Sequence, residues 1–486
     1  VVLGCGEPAA EPWNAQLRQK LAPVPVRCVI EPAFRYISEQ TEPPPALARR
    51  IEASLRRLFE DATADNCVVW AHNLGIGRNL LLSRAVARAC AKRNVRLLLH
   101  HHDWWFENRW RRWPEMQASS FGTLQSIGRA IFPGTPQARH IAINRSDARG
   151  LQRHFGRRAL WLPNLTQPFP EVPAARLRAA QSWLRRGIVP KEAPVWIVPA
   201  RVLRRKNLAE ALLLTRWLRP EAWLISTAGA SSADEAAYAG ALESAARKHR
   251  WPMRLGVLRQ AGPEAPNVAE LLAASEVVLL TSIQEGFGLP YVEAAAAGRP
   301  LIARAIPSVA PDLRQFGFKL PYLYDEVMIH PELFDWEAER RRQEELFGAW
   351  RAQLPRVCRA WAGAPWLPST GPRPRPVPFS RLTLTAQLEV LAQPVERSWT
   401  LCAPLNPHLP EWRRRAQAGK LRSSPWPKTA ERWLGGAAYA RRFQRLLQDI
   451  PDPAPDPNRG PKAQTEFIRR KLQSEHLFPL LWALQT

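Results

Sequence analysis

The chain has 486 residues, enough for two or three domains with full-sized cores. Its 69 Lys and Arg against 43 Asp and Glu give a formal net charge of +26, which favours phosphorylated ligands, anionic lipid head groups or nucleic acid as partners. The six cysteines stand far apart without a Cys-x-x-Cys pair, so a cytoplasmic location is expected and a disulfide framework is not. No apolar run approaches the roughly 18 residues of a membrane span, and no signal peptide is visible, although the chain opens at Val1 without Met.

The N-terminal part alternates short apolar runs with glycine-bearing turns, a pattern typical of parallel strands whose loops face a ligand. The first run leads into a turn with Gly4 and Gly6, where the missing side chains let a backbone approach phosphate. After a proline-rich stretch, a basic amphipathic helix is expected near residues 46–59. The next buried strand, residues 67–71, ends in His72-Asn-Leu-Gly-Ile-Gly and an apolar helix.

A third strand, residues 95–99, runs into His100-His-His-Asp-Trp-Trp105. Neighbouring residues of an extended chain point to opposite faces, so three adjacent histidines chelate one metal ion poorly, and no metal site is expected. The loop that follows is rich in aromatic and basic residues. Its aromatic side chains would either stack on sugars or bases and insert at a membrane surface, or pack over their own domain. The aromatic residues are Trp104, Trp105, Phe106, Trp110 and Trp113.

The second half of the chain repeats the alternation of strands and helices. Residues 166–194 are rich in Pro, Ala and Arg, and we place an inter-domain hinge there. A strand at residues 195–198 and a helix at residues 208–218 enclose a basic loop. The loop holds Arg201, Arg204, Arg205 and Lys206.

The most informative stretch follows an apolar strand at residues 276–280 and contains Glu285-Gly-Phe-Gly-Leu-Pro-Tyr-Val-Glu293. It predicts a glycine turn and a helix with Pro290 near its first position, Glu293 in its first turn and Gly298 as a left-handed cap. The two carboxylates can each accept hydrogen bonds from sugar hydroxyls. The helix start can offer backbone N–H groups to an anion, those of Gly288, Leu289 and Tyr291.

This stretch resembles the E-x7-E motif of the retaining, nucleotide-sugar-dependent glycosyltransferases of GT-B fold, the glycosyltransferase 4 family. The resemblance covers roughly residues 60–305 and includes Trp161-Leu-Pro-Asn, similar to the segment that leaves the family's first domain. It implies an α/β fold, two doubly wound Rossmann-like domains facing a cleft. The expected parts are an acceptor-side domain at 1–187, a donor-side domain at 188–360, a proline-rich linker at 361–378 and a mostly helical C-terminal extension at 379–486.

The resemblance also implies roles for single residues. Glu285 would contact the transferred sugar and Glu293 the ribose of the nucleotide. Arg201 and Lys206 resemble the family's Arg-x4-Lys pair, which neutralises the diphosphate, although Arg204 and Arg205 leave that choice open. His102 would contact the donor sugar or pyrophosphate, with His101 as an alternative one residue away. The further donor-binding candidates are Gly286, Phe287, Gly288 and Leu289. The candidates for an acceptor or phosphate loop in the first domain are Gly4, Gly6, His72, Asp103 and Trp104.

The expected function is transfer of a hexose from a nucleoside diphosphate sugar to a saccharide, lipid or small-molecule acceptor, with no cofactor and no metal. The alternatives are a sugar phosphorylase or synthase of the same fold, a basic nucleic-acid-binding protein, and an inactive scaffold. Nucleic acid is not expected as a partner, because no folded RNA-reading motif is present. Peripheral contact with an anionic membrane is a hypothesis that rests on charge and tryptophans alone.

Overall fold

A computed structural model describes residues 1–9, 11–107, 109–259, 261–262, 264–448 and 456–482. The described chain divides into two compact units. The first comprises Val1–Leu162, Gln353–Ala360 and Arg442–Lys471. The second comprises Pro163–Ala352, Trp361–Arg441 and the chain from Leu472 on. The domain bounds expected at residues 187, 360 and 378 remain predictions.

The first unit is built on parallel strands. A two-stranded sheet pairs β1 (Val2–Cys5) with β2 (Arg27–Ile30). A second sheet has the order β3-β4-β5-β6, with β3 (Val68–His72), β4 (Arg96–His101), β5 (Ala138–Ala142) and β6 (Ala159–Trp161). The helices before residue 163 are α1 (Glu11–Leu21), α2 (Pro44–Leu58), α3 (Leu80–Lys92), α4 (Arg112–Ala118), α5 (Leu124–Ile131) and α6 (Arg145–Phe155). The residues of β4 and β5 are buried almost throughout, as expected for central strands covered by helices.

The second unit holds a six-stranded parallel sheet of order β12-β11-β10-β7-β8-β9. Its strands are β7 (Val195–Arg201), β8 (Trp223–Ala228), β9 (Met253–Arg254), β10 (Val277–Leu280), β11 (Leu301–Arg304) and β12 (Tyr322–Tyr324). The chain builds β7, β8 and β9 outward in one direction and then returns to place β10 on the other side of β7. In open parallel sheets such a reversal opens a crevice at the carboxyl ends of the two central strands, where ligands bind.

The helices around this sheet are α7 (Ala174–Arg185), α8 (Leu208–Leu218), α9 (Ala233–His249), α10 (Val268–Ala274), α11 (Leu289–Ala296), α12 (Ala310–Phe316) and α13 (Trp336–Gln353). A short antiparallel pair, β13 (Met328–Ile329) and β14 (Val377–Pro378), adds to the second unit. The C-terminal part is helical: α14 (Arg356–Arg359), α15 (Trp366–Ser369), α16 (Leu384–Ala392), α17 (Val395–Cys402), α18 (Leu409–Gln417), α19 (Glu431–Leu434), α20 (Gly436–Leu446) and α21 (Arg459–Lys471).

The predicted fold class, α/β with parallel sheets and a mostly helical C-terminal part, is confirmed. The strands expected at 195–198, 276–280 and 301–304 are β7, β10 and β11, because continuous apolar runs flanked by turn residues identify central parallel strands well. The prediction missed β2 inside the proline-rich stretch and the short β12. In the part of the chain that the structure describes, no helix combines the length and apolar character that crossing a bilayer requires.

Candidate active site

The loops after β7 and β10 lie side by side in the second unit, because these strands are parallel neighbours. The amide of Ile283 donates to the carbonyl of Arg205 at 2.9 Å. The Thr281 hydroxyl is fully buried and lies 2.9 Å from the carbonyl oxygen of Lys206 and 3.0 Å from that of Asn207. These bonds fasten the basic loop to the start of the Glu285 turn at the point where the strand order reverses.

Glu285 is held between two cations of the basic loop. Its Oε1 forms an ion pair with Lys206 Nζ, and its Oε2 lies 3.0 Å from Arg205 Nη1. The exposed fraction of the side chain is only 7% for Glu285 and 9% for Lys206. Burial alone would raise the pKa of the Glu285 carboxyl, but the charges of Lys206 and Arg205 outweigh it, so that this pKa is lowered. The carboxylate is therefore ionised at neutral pH.

The opposite surroundings act on Lys206. Burial lowers the pKa of its amine, Arg205 and Arg201 lower it further, and only Glu285 opposes them. Arg201 ends β7 with an exposed side chain, and no ion pair of Arg201 is found within the described chain. The basic loop thus presents more positive charge than Glu285 neutralises, which suits an anionic ligand.

The two arginines beside Lys206 have different partners. The amide of Arg204 donates to the Glu235 carboxylate at 2.7 Å, and its Nε lies 3.7 Å from the same group. Arg204 is thereby bound to α9, whereas Arg205 faces Glu285. The sequence did not show whether Arg204 or Arg205 belongs to the site, because the side chains of consecutive arginines in a turn have no fixed direction.

The turn between Glu285 and α11 requires glycine at Gly288. Its φ is +73°, and a Cβ there would lie 2.7 Å from the ring of Tyr291. The side chain of Phe287 is buried, so only its backbone can meet a ligand. Leu289 opens the helix with 39% of its surface exposed. The cap predicted at Gly298 is confirmed, since this residue follows α11 with a φ of +65°.

Two predicted details of α11 are wrong. The amide of Tyr291 donates to the carbonyl of Gly288 at 3.0 Å and is not free for an anion. The helix begins at Leu289, which places Glu293 in its second turn instead of its first. There the carboxylate is half-buried and has no hydrogen-bond or ion-pair partner within the described residues. Burial raises the pKa of Glu293, and the charge of Lys206 opposes this rise.

A buried ion pair supports the site from the opposite side of the basic loop. Arg304 at the end of β11 pairs with Glu210 of α8, and these residues are 4% and 0% exposed. The Tyr324 hydroxyl donates to Glu210, and Asn207 Nδ2 donates to it at 2.8 Å. Since Asn207 follows Lys206 directly, this network fixes the position of the basic loop. Sequence analysis missed it, although a charged residue at the end of an apolar strand was a usable signal.

In the first unit, the ends of β3 and β4 bring three histidines together. His72 is the register partner of His100, and His102 follows two residues later on the same face. The Nδ1 atom of His72 lies 3.4 Å from Nε2 of His102. His101 points to the opposite face, where its Nε2 lies 3.3 Å from Nδ1 of the buried His140. His101 is therefore a core residue, and His102, which is half-buried, is the accessible member of the pair.

Asn73 fixes the turn that carries His102 and Asp103. It has a φ of +58°, and its Oδ1 accepts the amides of His102 at 3.3 Å and of Asp103 at 3.0 Å. Its Nδ2 donates to the Asp103 carboxylate at 3.2 Å, and Arg109 lies 3.4 Å from the same carboxylate. Asp103 thus holds the loop in place. Asn73 is a positioning residue that sequence analysis did not identify.

The aromatic loop packs inside the first unit, which confirms the second of its two interpretations. Four of its residues are at most 2% exposed, namely Trp104, Trp105, Phe106 and Trp110. Trp104 Nε1 donates to Asp147 at 2.9 Å, and Trp105 Nε1 donates to Gln464 at 3.1 Å. The ligand contact predicted for Trp104 is wrong, because its ring fills the core and its only donor is satisfied.

The first glycine turn differs from the prediction. Gly4 lies within β1 opposite Val29, not in the loop after the strand. Gly6 does lie in the turn, and a Cβ there would come within 2.7 Å of the backbone nitrogen of Arg35. Close packing of Gly6 against the segment that contains Arg35 therefore accounts for this glycine. Phosphate binding by Gly6 stays a prediction.

Comparison with known proteins agrees with the site in the second unit. Residues 182–314 match the family described as Glycosyl transferases group 1, a stretch from within α7 to within α12. The mannosylglucosyl-3-phosphoglycerate synthase of Petrotoga mobilis (strain DSM 10674 / SJ95) is 22% identical over 255 residues, which cover 50% of this chain and 47% of that protein. The chain thus spans about half the length of this curated relative.

Two solved structures are also similar. The glycosyltransferase from Rickettsia africae ESF-5 has 10% identity, covers 92% of this chain and 89% of its own, and gives a TM-score of 0.48. Anabaena Alr3699/HepE in complex with UDP and glucose has 17% identity, coverages of 64% and 74%, and a TM-score of 0.42. Residues 182–314, which lie within the second unit, are thus similar to the glycosyl transferases group 1 family.

Proposed function

We propose that the chain is a retaining glycosyltransferase, of the glycosyltransferase 4 type, that transfers a hexose from a nucleoside diphosphate sugar. One observation carries the proposal. Glu285 is ion-paired with Lys206 and Arg205 where the strand order reverses, while Glu293 has no hydrogen-bond or ion-pair partner among the residues that the structure describes. The family match spans both of the loops that form this arrangement.

The diphosphate of the donor is the natural ligand of the basic loop. As the bond between the sugar and the diphosphate breaks, negative charge develops on the leaving phosphate, and nearby cations stabilise it. Lys206 and Arg201 supply these cations in the proposal, and Arg205 adds a third. Burial and the neighbouring arginines lower the pKa of Lys206, and an anion bound beside it would stabilise its charge.

The two glutamates serve different parts of the donor. Glu285 would accept hydrogen bonds from hydroxyls of the transferred sugar, with the backbone of Gly286 to Leu289 around it. Glu293 would accept hydrogen bonds from the ribose hydroxyls, which would provide the partners that its half-buried carboxylate lacks. A bound ribose would also stabilise the ionised form of Glu293 against the raised pKa.

The remaining parts of the proposal concern His102, the acceptor and the location. The role of His102 at the donor sugar or pyrophosphate comes from the resemblance. The acceptor is a saccharide, a lipid or a small molecule, and neither a cofactor nor a metal is needed for transfer. A cytoplasmic location agrees with the cysteines, because all six are free thiols.

A thermal-shift screen with UDP, GDP, ADP and their glucose and mannose conjugates tests the proposal. A ligand at about 100 times its dissociation constant adds about 2.7 kcal/mol to the unfolding free energy, so a true ligand produces a clear shift. We expect one nucleotide to stabilise the protein, Glu293→Ala to reduce that shift, and the control Glu345→Ala to keep it. The control changes an exposed glutamate of α13, outside the loops of the site. No shift with any nucleotide would contradict the proposal, and sugar release that requires inorganic phosphate would indicate a phosphorylase.

A further inference from the structure

The histidines of the first unit form a cluster that the proposed function does not explain. Adjacent histidines of a strand point to opposite faces. His100 and His102 are separated by one residue and share a face, and His72 joins them from the neighbouring strand. One ring nitrogen from each of the three lies within 4.8 Å of the others. The alternation of side chains therefore assembles these histidines instead of separating them.

The distance between His72 and His102 matches that between two ligands of one metal ion. Two nitrogen ligands about 2.05 Å from a tetrahedral zinc ion lie about 3.4 Å apart. His72 Nδ1 and His102 Nε2 are separated by 3.4 Å, which is longer than an ordinary hydrogen bond between nitrogens. The centroids of the His100 and His102 rings are 4.5 Å apart, so His100 lies directly beside this pair.

His100 supplies an independent observation. It is 2% exposed, and neither of its ring nitrogens has a hydrogen-bond partner of good geometry in the described chain. Buried polar atoms are nearly always satisfied, and an orphaned imidazole beside two others indicates a missing ligand.

Trp70 covers one side of the cluster, and His72 connects the cluster to solvent. The indole of Trp70 stacks on His100, with ring centroids 5.9 Å apart, and packs against His72 at 4.6 Å. Apolar packing of this kind restricts ring orientation and keeps water from one side of a metal. His72 is exposed and leaves an entry path from solvent.

We propose that His72, His100 and His102 bind one divalent transition metal ion, of the Zn²⁺ or Co²⁺ kind, with a fourth position open to water or another ligand. Imidazole nitrogens suit these ions, and three protein ligands with one open position is the usual arrangement of a zinc site that is not purely structural. The proposal does not depend on the glycosyltransferase function. It gives His102 a role other than the one implied by the resemblance, because a metal-bound Nε2 cannot also contact a sugar hydroxyl.

Titration of the untagged, chelator-treated full chain with Co²⁺ tests the proposal. We expect saturation at one ion per chain, with the visible absorption of tetrahedral Co²⁺ and no near-ultraviolet thiolate band, and we expect Zn²⁺ to abolish the spectrum. The variants His72→Ala and His102→Ala are chosen because these residues are less buried than His100. Each should lose the spectrum and bind at least about tenfold more weakly, since even a change in the outer shell of a metal site costs that much.

The control His249→Ala changes an exposed histidine of α9 and should leave the titration unchanged. Circular dichroism of each variant separates loss of the site from loss of the fold. A titration without saturable absorption would overturn the proposal. Binding that survives both His72→Ala and His102→Ala, or a spectrum with thiolate bands from the cysteines, would overturn it as well.

Discussion

Loss of the charge of Glu285 and loss of the charge of Glu293 should change the unfolding free energy in opposite directions. Glu285→Gln removes the anion that Lys206 and Arg205 share, and it leaves Lys206 buried beside other cations. Removing one partner of a buried ion pair costs about 3–5 kcal/mol. Arg205 is 28% exposed and can turn toward water, so we expect the lower end of this range, about 3 kcal/mol.

Glu293→Gln should leave the unfolding free energy unchanged or raise it slightly. Its carboxylate has no partner in the described chain, and its raised pKa means that the folded protein disfavours the charge. A neutral side chain of the same size removes that penalty at neutral pH. The two variants thus differ in sign although both remove one negative charge from the same loop and helix.

Urea unfolding of the ligand-free protein, followed by tryptophan fluorescence, measures the difference. Asp147→Asn changes the first unit only. The unfolding transition that this variant leaves unchanged therefore belongs to the second unit. The pKa of Glu285 is lowered in the folded state, so its contribution is complete above the unfolded value near 4.5 and is lost as pH falls through the folded pKa. The deficit of Glu285→Gln should therefore shrink in acid. Equal stability of both variants at pH 7, or a larger loss in Glu293→Gln, would refute the ion-pair account.

Three further predictions concern charge and backbone geometry. Because the pKa of Lys206 is lowered, affinity for a nucleoside diphosphate should fall at a lower pH than the one at which an ordinary lysine deprotonates. Lys206→Arg should move this fall to higher pH, and an unchanged pH profile in a calorimetric series would contradict the prediction. Asp147→Asn should destabilise the first unit by about 3 kcal/mol, because it removes the negative charge of a buried carboxylate that pairs with Arg470 at 2.7 Å. Urea unfolding equal to that of the wild type would show that this ion pair does not stabilise the fold. Gly288→Ala should lower turnover of the donor at least tenfold, because the new Cβ would meet the Tyr291 ring. Gly298 has a similar φ but open space around it, so Gly298→Ala should lower only the unfolding free energy, by about 1 kcal/mol. Similar turnover in the two variants would contradict a role of the Gly288 turn in donor binding.

The sequence predicted the core of the donor site because its cues are local. Strands β7, β10 and β11 are continuous apolar runs, and the helix start at Pro290 and the cap at Gly298 follow from single residues. Parallel pairing then brings the loop of Lys206 to the loop of Glu285. The sequence did not predict which cation turns toward which carboxylate, because this depends on packing: Glu235 of α9 holds Arg204 and leaves Arg205 to Glu285.

The contacts that were missed join residues far apart in the chain. The pairing of Glu210 with Arg304 links α8 to β11, and the burial of Trp104 depends on Asp147. The histidine cluster required the register of β3 against β4, which places His72 beside His100 and which no single stretch reveals. Side-chain alternation was the correct principle, but it was applied to one strand only.

Calorimetric titration of the nucleotide selected by the thermal-shift screen, with wild type, Glu293→Ala and Glu285→Ala, tests the central claim most directly. The account predicts one site per chain and binding at least about tenfold weaker in Glu293→Ala, because loss of the ribose contact costs at least about 1.4 kcal/mol. Glu285→Ala should not weaken nucleotide binding, since it leaves Lys206 and Arg205 without the carboxylate that they share. Turnover should fall mainly in Glu285→Ala. Nucleotide binding that neither variant changes would contradict a donor site at these loops.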